Sequence, residues 1–256
     1  MQDSLQKGLD ELRSLVRGSQ NIVFFGGAGV STESNIPDFR SEQGLYHAQQ
    51  HYGYPPEVML SHSFFMQRPG DFFAYYLNEL LYPAAQPNDA HRALAALEQR
   101  GSLRAVITQN IDGLHQLAGS KNVLELHGSV LRNYCMNCGA RYGLDFMLEH
   151  RGGVPHCLDC GGIVRPDVVL YEEALDPAVL RAAQRAVANA DLLIVGGTSL
   201  VVYPAAGLLH DFRGRRLILI NKGETAFDSR ADLLLHCSIG MALRYAAAED
   251  SPPATA

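Results

Sequence analysis

The stretch Ile22-Val23-Phe24-Phe25-Gly26-Gly27-Ala28-Gly29-Val30-Ser31-Thr32 decides the fold. Four consecutive apolar residues match a short strand buried on both faces, and the glycines after them supply a tight turn. Just ahead, Leu5, Leu9, Leu12 and Val16 recur at helical spacing, so the order is helix, buried strand, glycine turn. Working outward, similar apolar runs stand at Ala105-Val106-Ile107, Val123-Leu124-Glu125-Leu126, Leu192-Leu193-Ile194-Val195, Leu217-Ile218-Leu219-Ile220 and Leu233-Leu234-Leu235. Helical patterns fill several gaps, from Asn88 to Gln99 and from Pro177 to Ala190, the latter with Asp176 as N-cap and Pro177 at the first helical position. Buried strands alternating with helices predict an α/β fold, a Rossmann-like, doubly wound parallel sheet.

Two stretches break this rhythm. Residues 43–87 are rich in aromatics and proline, and 131–166 hold Cys135, Cys138, Cys157 and Cys160 in a C-x2-C-x18-C-x2-C pattern. The expectation is a Rossmann-like lobe of residues 1–42, 88–130 and 167–248, a smaller lobe of 43–87 (helical) and 131–166 (metal), and a disordered tail over 249–256. Two such knuckles bring four thiolates to one tetrahedral ion, which is the pattern of structural zinc. Two disulfides or an iron-sulfur cluster are the alternatives; no secretory leader is evident, and cluster runs usually space their cysteines differently. A site closed by four sulfurs has no open position for water, so the zinc is scaffold, worth about 10 to 16 kcal/mol of folding free energy. Gly139, Gly161 and Gly162 give the knuckles permissive backbone, His156 is a bystander, and Cys237 is a buried structural thiol.

At 256 residues and 47% hydrophobic content the chain can bury a sizeable core. The longest apolar run falls well short of a membrane span, and the N-terminal MQDSLQKGLDELRSLV reads as an amphipathic helix without a signal core, so a cytoplasmic protein is expected. A net charge of −6 without a basic run argues against nucleic acid as a partner.

In doubly wound sheets ligands sit at the C-terminal ends of the strands, and four loops there are loaded with polar residues. Gly27-Ala28-Gly29-Val30-Ser31-Thr32 is like a dinucleotide G-x-G turn whose amides and helix start could hold a pyrophosphate, with Thr32 in place of the third glycine. Thr108-Gln109-Asn110-Ile111-Asp112-Gly113 sets two amides and a carboxylate after a strand. His127-Gly128 puts an imidazole, which titrates near neutrality, at another strand end, with the glycine leaving room for a ligand. Gly196-Gly197-Thr198-Ser199 and Asn221-Lys222-Gly223 complete the set.

GAGVSTESNIPDFR, TQNIDGLH, LELHG, the paired knuckles, GGTSLVVYP and INKGE occur in this order, and together they resemble the sirtuin family of NAD-dependent protein-lysine deacylases from about Gln20 to Ala248. The resemblance implies a Rossmann-like lobe, a small lobe with structural zinc, and a cleft between them. It implies His127 as general base on the ribose of NAD, with Asn110 and Asp112 as catalytic partners beside Gln109 and Ile111. It implies further that the acyl oxygen attacks the anomeric carbon, nicotinamide leaves, and an alkylamidate collapses to lysine and 2′-O-acyl-ADP-ribose, the chemistry of a transferase. Ala28, Gly29, Thr32, Phe39, Arg40, Thr198, Ser199 and Asn221 are the further NAD-binding positions it implies. Val168, Val169, Leu170, Tyr171 and Val201 lie in the two segments between which an acylated peptide partner adds as a strand.

This chain departs from the family in having Tyr171-Glu172-Glu173 for a Phe-Gly-Glu motif, and Asn35 for a glycine, a residue that tolerates left-handed backbone. The Tyr-x-x-Arg pair of the demalonylating and desuccinylating branch has no counterpart in Phe72 to Glu79, so acetyl or another neutral acyl group is expected. Protein ADP-ribosylation, an NAD-dependent dehydrogenase and a non-enzymatic zinc-ribbon module are the rival readings.

Overall fold

Six parallel strands, β1 (Ile22–Gly26), β2 (Leu103–Thr108), β3 (Val123–Glu125), β7 (Leu192–Gly196), β8 (Arg216–Ile220) and β9 (Leu233–Leu235), run side by side in the order β3-β2-β1-β7-β8-β9 in the computed structural model of the chain. The structure describes residues 2–38 and 48–249; Phe39, Arg40 and the expected tail beyond Glu249 lie outside the described residues. The strand at the centre explains the layering. Ile22 and Phe24 face one apolar core and Val23 and Phe25 the other, as the two-residue period of a strand requires. Helices α1 (Gln2–Gly18), α6 (Asp89–Gln99) and α10 (Ile239–Ala247) cover the first face through Leu12, Leu94 and Leu243. Helix α9 (Pro177–Asn189) and a 3₁₀ segment, Ala205–Asp211, cover the second through Val187 and Leu208. Each such side chain, fully buried, contributes about 1.5 to 3 kcal/mol.

The helix boundaries follow local chemistry. The Asp176 carboxylate accepts from the amides of Ala178 and Val179, with Pro177 next in the chain, as the sequence predicts. Asn88 starts α6 by accepting from the Ala90 amide, and His91 Nδ1 accepts in return from the Asn88 amide. The strand expected over 123–126 ends one residue earlier, at Glu125, where the chain turns towards His127.

A second sheet is antiparallel, of β4 (Gly128–Cys135), β5 (Arg141–Tyr142) and β6 (Val164–Val168) in the order β5-β4-β6. Around it lie the short helices α3 (Pro56–Met59), α4 (His62–Gln67), α5 (Pro69–Tyr75) and α8 (Leu144–Glu149), and a π turn over Tyr76–Leu80. Phe65, Phe72, Phe73 and Tyr76 meet ring to ring and share one apolar core with Val130, Met147 and Val164. The helical stretch and the cysteine stretch, far apart in sequence, thus bury each other's apolar faces. No helix among the described residues is long and apolar enough to cross a membrane.

Candidate active site

Parallel register brings the strand ends together. Gly26 pairs with Thr108 on one side and Gly196 on the other, and Thr108 pairs with Glu125, so the loops after β1, β2, β3 and β7 open on one edge. They converge where strand order reverses about β1, the place for a ligand in this topology. Between β1 and β7 the approach is very close: the Gly29 amide donates to the Gly197 carbonyl at 2.8 Å, and a Cβ on Gly29 would stand 2.7 Å from the Gly197 Cα. The turn amides expected to hold a pyrophosphate are therefore partly engaged, since Val30 also donates to the Gly27 carbonyl. The helix that follows, α2 (Ala28–Ser31), is one turn long and passes into a 3₁₀ turn, Thr32–Ser34, that ends on Asn35 with φ 62°. Left-handed asparagine stands here, as the sequence comparison with glycine anticipates. Thr32 Oγ1 donates to the Gly29 carbonyl at 2.9 Å.

His127 follows β3, and its Nδ1 is 3.0 Å from the Gln109 carbonyl. A carbonyl can only accept, so Nδ1 carries the proton and Nε2 is the basic nitrogen of the neutral ring. Gly128, next to it, is bare for a reason other than ligand access: its φ is 77°, and a Cβ there would lie 2.0 Å from the Asp167 carbonyl oxygen. The residue is glycine because β6 crosses against it.

After β2 the polar groups form a chain. Asn110 Nδ2 donates to the Gly27 carbonyl at 3.0 Å and to Ser31 Oγ at 2.9 Å, and Ser31 Oγ donates to Asp112 Oδ2 at 2.6 Å. Asp112 Oδ1 accepts from the Leu114 amide at the start of α7 (Leu114–Leu117). Burial pushes the Asp112 carboxyl up, and the Ser31 and Leu114 hydrogen bonds only partly offset it. Ser31 is a site residue that sequence reading does not single out; its one signal is its place in the first turn after the glycines.

A cleft runs along this edge, lined by Ala28, Ser31, Gln109, Asn110, Ile111, Asp112 and His127 on one side. Val168, Val169, Leu170 and Tyr171 line the other, with Leu60, Leu80, Tyr82 and Leu175, which sequence reading passes over. Val169 donates to the His127 carbonyl at 3.0 Å, so wall and histidine are tied directly. Val201 is exposed and is not part of this lining, whereas Val202 is. Thr198, Ser199 and Asn221 lie off the cleft. Thr198 and Asn221 bond reciprocally, Thr198 amide to Asn221 Oδ1 at 3.0 Å and Asn221 Nδ2 to the Thr198 carbonyl at 3.1 Å, while Gln109 Nε2 donates to Thr198 Oγ1 at 3.0 Å.

The four cysteines meet as their spacing predicts, their sulfurs all within 4.8 Å of one another. Cys135 and Cys160 sulfurs are 3.4 Å apart and Cys138 and Cys157 3.6 Å; tetrahedral zinc with bonds of about 2.3 Å needs about 3.8 Å. The knuckles repeat one geometry, Gly139 donating to the Cys135 carbonyl and Gly161 to that of Cys157, with φ 75° and 71°. Tyr142 OH donates to Cys157 Sγ at 3.1 Å, the outer-shell contact that a thiolate ligand accepts. The donor set and its spacing fit one structural zinc ion. His156 is turned to the Gly161 carbonyl, outside the set, and Cys237 is half-buried, its thiol pushed up by burial and by Glu33.

A dinucleotide-type sheet with its polar groups gathered at the reversal of strand order, and a metal-stapled sheet closing the cleft, defines a nucleotide-dependent α/β enzyme as the class. Within it, the chain belongs to the Sir2 family, whose model matches residues 27–204. It is 58% identical over 235 residues to an NAD-dependent protein deacetylase of Clostridium acetobutylicum, covering 92% of this chain and 96% of that one. A protein of the same name from Clostridium tetani is 60% identical over 232 residues, 91% and 94% of the two chains. Among solved structures, a Sir2 with a p53 peptide and NAD+ superposes with a TM-score of 0.82 at 40% identity, over 92% of this chain and 95% of that one.

Proposed function

We propose that the protein is an NAD-dependent protein-lysine deacetylase that transfers an acetyl group from lysine in extended peptide segments to ADP-ribose, with release of nicotinamide. The observation that carries the reading is His127: the Gln109 carbonyl fixes the proton on Nδ1 and leaves Nε2 as the base of a residue lining the cleft. NAD supplies an anomeric carbon with nicotinamide as leaving group. The cleft residues fit that co-substrate. Asn110 and Asp112, oriented through Ser31, offer amide and carboxylate to the carboxamide and ribose end, and Ala28 lies beside them. Gly29, Thr32, Thr198, Ser199 and Asn221 serve the phosphate and adenosine end, with Gln109 linking the two; Phe39 and Arg40 are assigned to the same cofactor from the sequence motif alone. His127 Nε2 takes a proton from a ribose hydroxyl, and Val168 to Tyr171 flank the peptide on one side; Val201, off the cleft lining, is assigned to the other side from the sequence motif alone. Asp112 does not need to donate a proton; its role is to orient.

The acyl group is neutral. The charged residues lining the cleft among those described are Glu79, Asp112, Glu172 and Glu173, all acidic, and their like charge disfavours a malonyl or succinyl carboxylate. Free thiols gathered for a metal suit a reducing compartment such as the cytoplasm.

The test is mass spectrometry of an acetyl-lysine peptide with and without NAD. Loss of acetyl with NAD alone, accompanied by nicotinamide and O-acetyl-ADP-ribose, is expected, and His127→Tyr should lower kcat by roughly 10²- to 10⁴-fold. NAD consumption with the peptide still acetylated moves ADP-ribosyl transfer ahead, and faster turnover of a succinyl peptide sinks the neutral-acyl part.

A further inference from the structure

The wall Val168 to Glu173 is fixed by one ion pair that joins a buried arginine behind it to Glu173, a half-buried residue of the cleft lining. Arg165, on β6 and only 7% exposed, does not line the cleft. Its guanidinium grips both carboxylate oxygens of Glu173, Nη1 to Oε1 at 2.7 Å and Nη2 to Oε2 at 3.0 Å, and Nη2 also donates to the Val168 carbonyl at 3.0 Å. Glu173 in turn accepts the Leu170 amide at 2.9 Å and faces His62 Nδ1 at 2.8 Å. The guanidinium lies over the Phe65 and Tyr134 rings, which leaves it little freedom to rotate away.

From the other side α4 holds the same wall. The His62 amide donates to the Tyr171 carbonyl and the Tyr171 amide to the Leu60 carbonyl. Glu172, at φ 75°, is in a left-handed conformation that disfavours a side chain, and its carboxylate accepts from the Ser63 amide at 2.8 Å and Ser63 Oγ at 2.9 Å.

A buried ion pair is a poor way to gain stability, because desolvation offsets much of its attraction and apolar residues of like volume often do as well. What an apolar pair cannot do is hold one backbone carbonyl and one backbone amide two residues apart at fixed positions. That is the task a peptide-pairing edge sets.

We propose that Arg165 and Glu173 are positioning residues for the peptide groove: through the Val168 carbonyl and the Leu170 amide they set the wall against which an extended acyl-lysine peptide pairs, and so govern peptide affinity. The proposal rests on the deacetylase reading above. The two ends of the reaction then respond separately, since among the described residues the side-chain hydrogen bonds and ion pairs of Arg165 and Glu173 run to Val168, Leu170, His62 and Pro166 and not to the loops after β1, β2 and β7.

Steady-state kinetics of Arg165→Met and Glu173→Gln, with acetyl peptide and NAD varied in turn and thermal unfolding measured alongside, test it. The expected result is a rise of roughly tenfold or more in KM for the peptide, with kcat and KM for NAD within about threefold of wild type. Arg165→Lys, which keeps the charge and loses the fork, should fall between. An unchanged peptide KM overturns the proposal, and so does a parallel loss of kcat and both affinities, which would make the pair merely structural. Should Arg165→Met fail to fold, Arg165→Lys, which is off the cleft lining, decides together with the near-isosteric Glu173→Gln. Wild-type protein that does not deacetylate the peptide at all removes the deacetylase reading and the proposal with it; an active wild type with unaffected variants removes only the proposal.

Discussion

β1 is buried along all five residues and paired on both sides, whereas β5 is two residues long, exposed at Arg141, and paired with β4 alone. The six-stranded sheet needs no special chemistry: alternate side chains of its central strands enter two apolar cores, and helices close both faces. The three-stranded sheet has much less to bury at its outer end, and four sulfurs stand where a longer strand would otherwise be needed. One region is ordered by non-directional burial alone, while the other adds directional links, the cysteine cluster and the Arg165–Glu173 pair, to its apolar core. The polar loops of the cleft belong to the first sheet, and the opposite wall, Val168 to Tyr171, continues from β6 of the second.

Metal removal should separate the two most sharply. A strong chelator takes away a contribution on the order of 10 kcal/mol that belongs to one module. Hydrogen exchange is expected to rise across 131–166 while β1, β2 and β7 stay protected; equal loss in both sheets at the same chelator concentration would erase the distinction. A smaller effect is expected in acid. Burial raises the Glu173 carboxyl, but the Arg165 hydrogen bonds, the Leu170 amide and His62 outweigh it and hold it down at about 2. Its ordinary value is 4.5, so its stabilisation is complete above about pH 4.5 and is lost as pH falls through about 2. The stability gap between wild type and Glu173→Gln in denaturant titrations should accordingly narrow below pH 4.5 and be flat above pH 6. Smallest, Asp176→Ala removes a cap in the large lobe and should cost about 1 kcal/mol in the same titrations. It should leave KM for the peptide unchanged, and a raised KM would mean that the two lobes are coupled.

The same contrast governs what could be read from the residues. The central strands of the large sheet are legible because burial on both faces leaves an unbroken apolar run, as in β1 and β7, and the loaded loops are legible because topology puts strand ends together. The knuckles are legible because ligand spacing is local. β4 and β6 are not: GSVLRNYC and VRPDV carry amide and charged groups at buried places, Asn133 and Arg165, which break the apolar pattern of a strand. Ser31 escapes for a different reason, since its bond to Asp112 spans 81 residues. Gly128 is picked out correctly as special but for the wrong cause; the crossing of Asp167 is visible only in three dimensions. Phe39 and Arg40 rest on the motif alone.

Gly29 and Gly197 have a consequence for how this sequence can change. Each would place a Cβ within 2.7 Å of the other's loop backbone, Gly29 against Gly197 Cα and Gly197 against Val30 N and Gly29 C. A clash at one locus is ordinarily relieved by shrinking its neighbour, but here the neighbour is already the smallest residue. Neither position has a permissive first step, so drift at both is blocked together, and variation in the cofactor loops is diverted to the residues on either side.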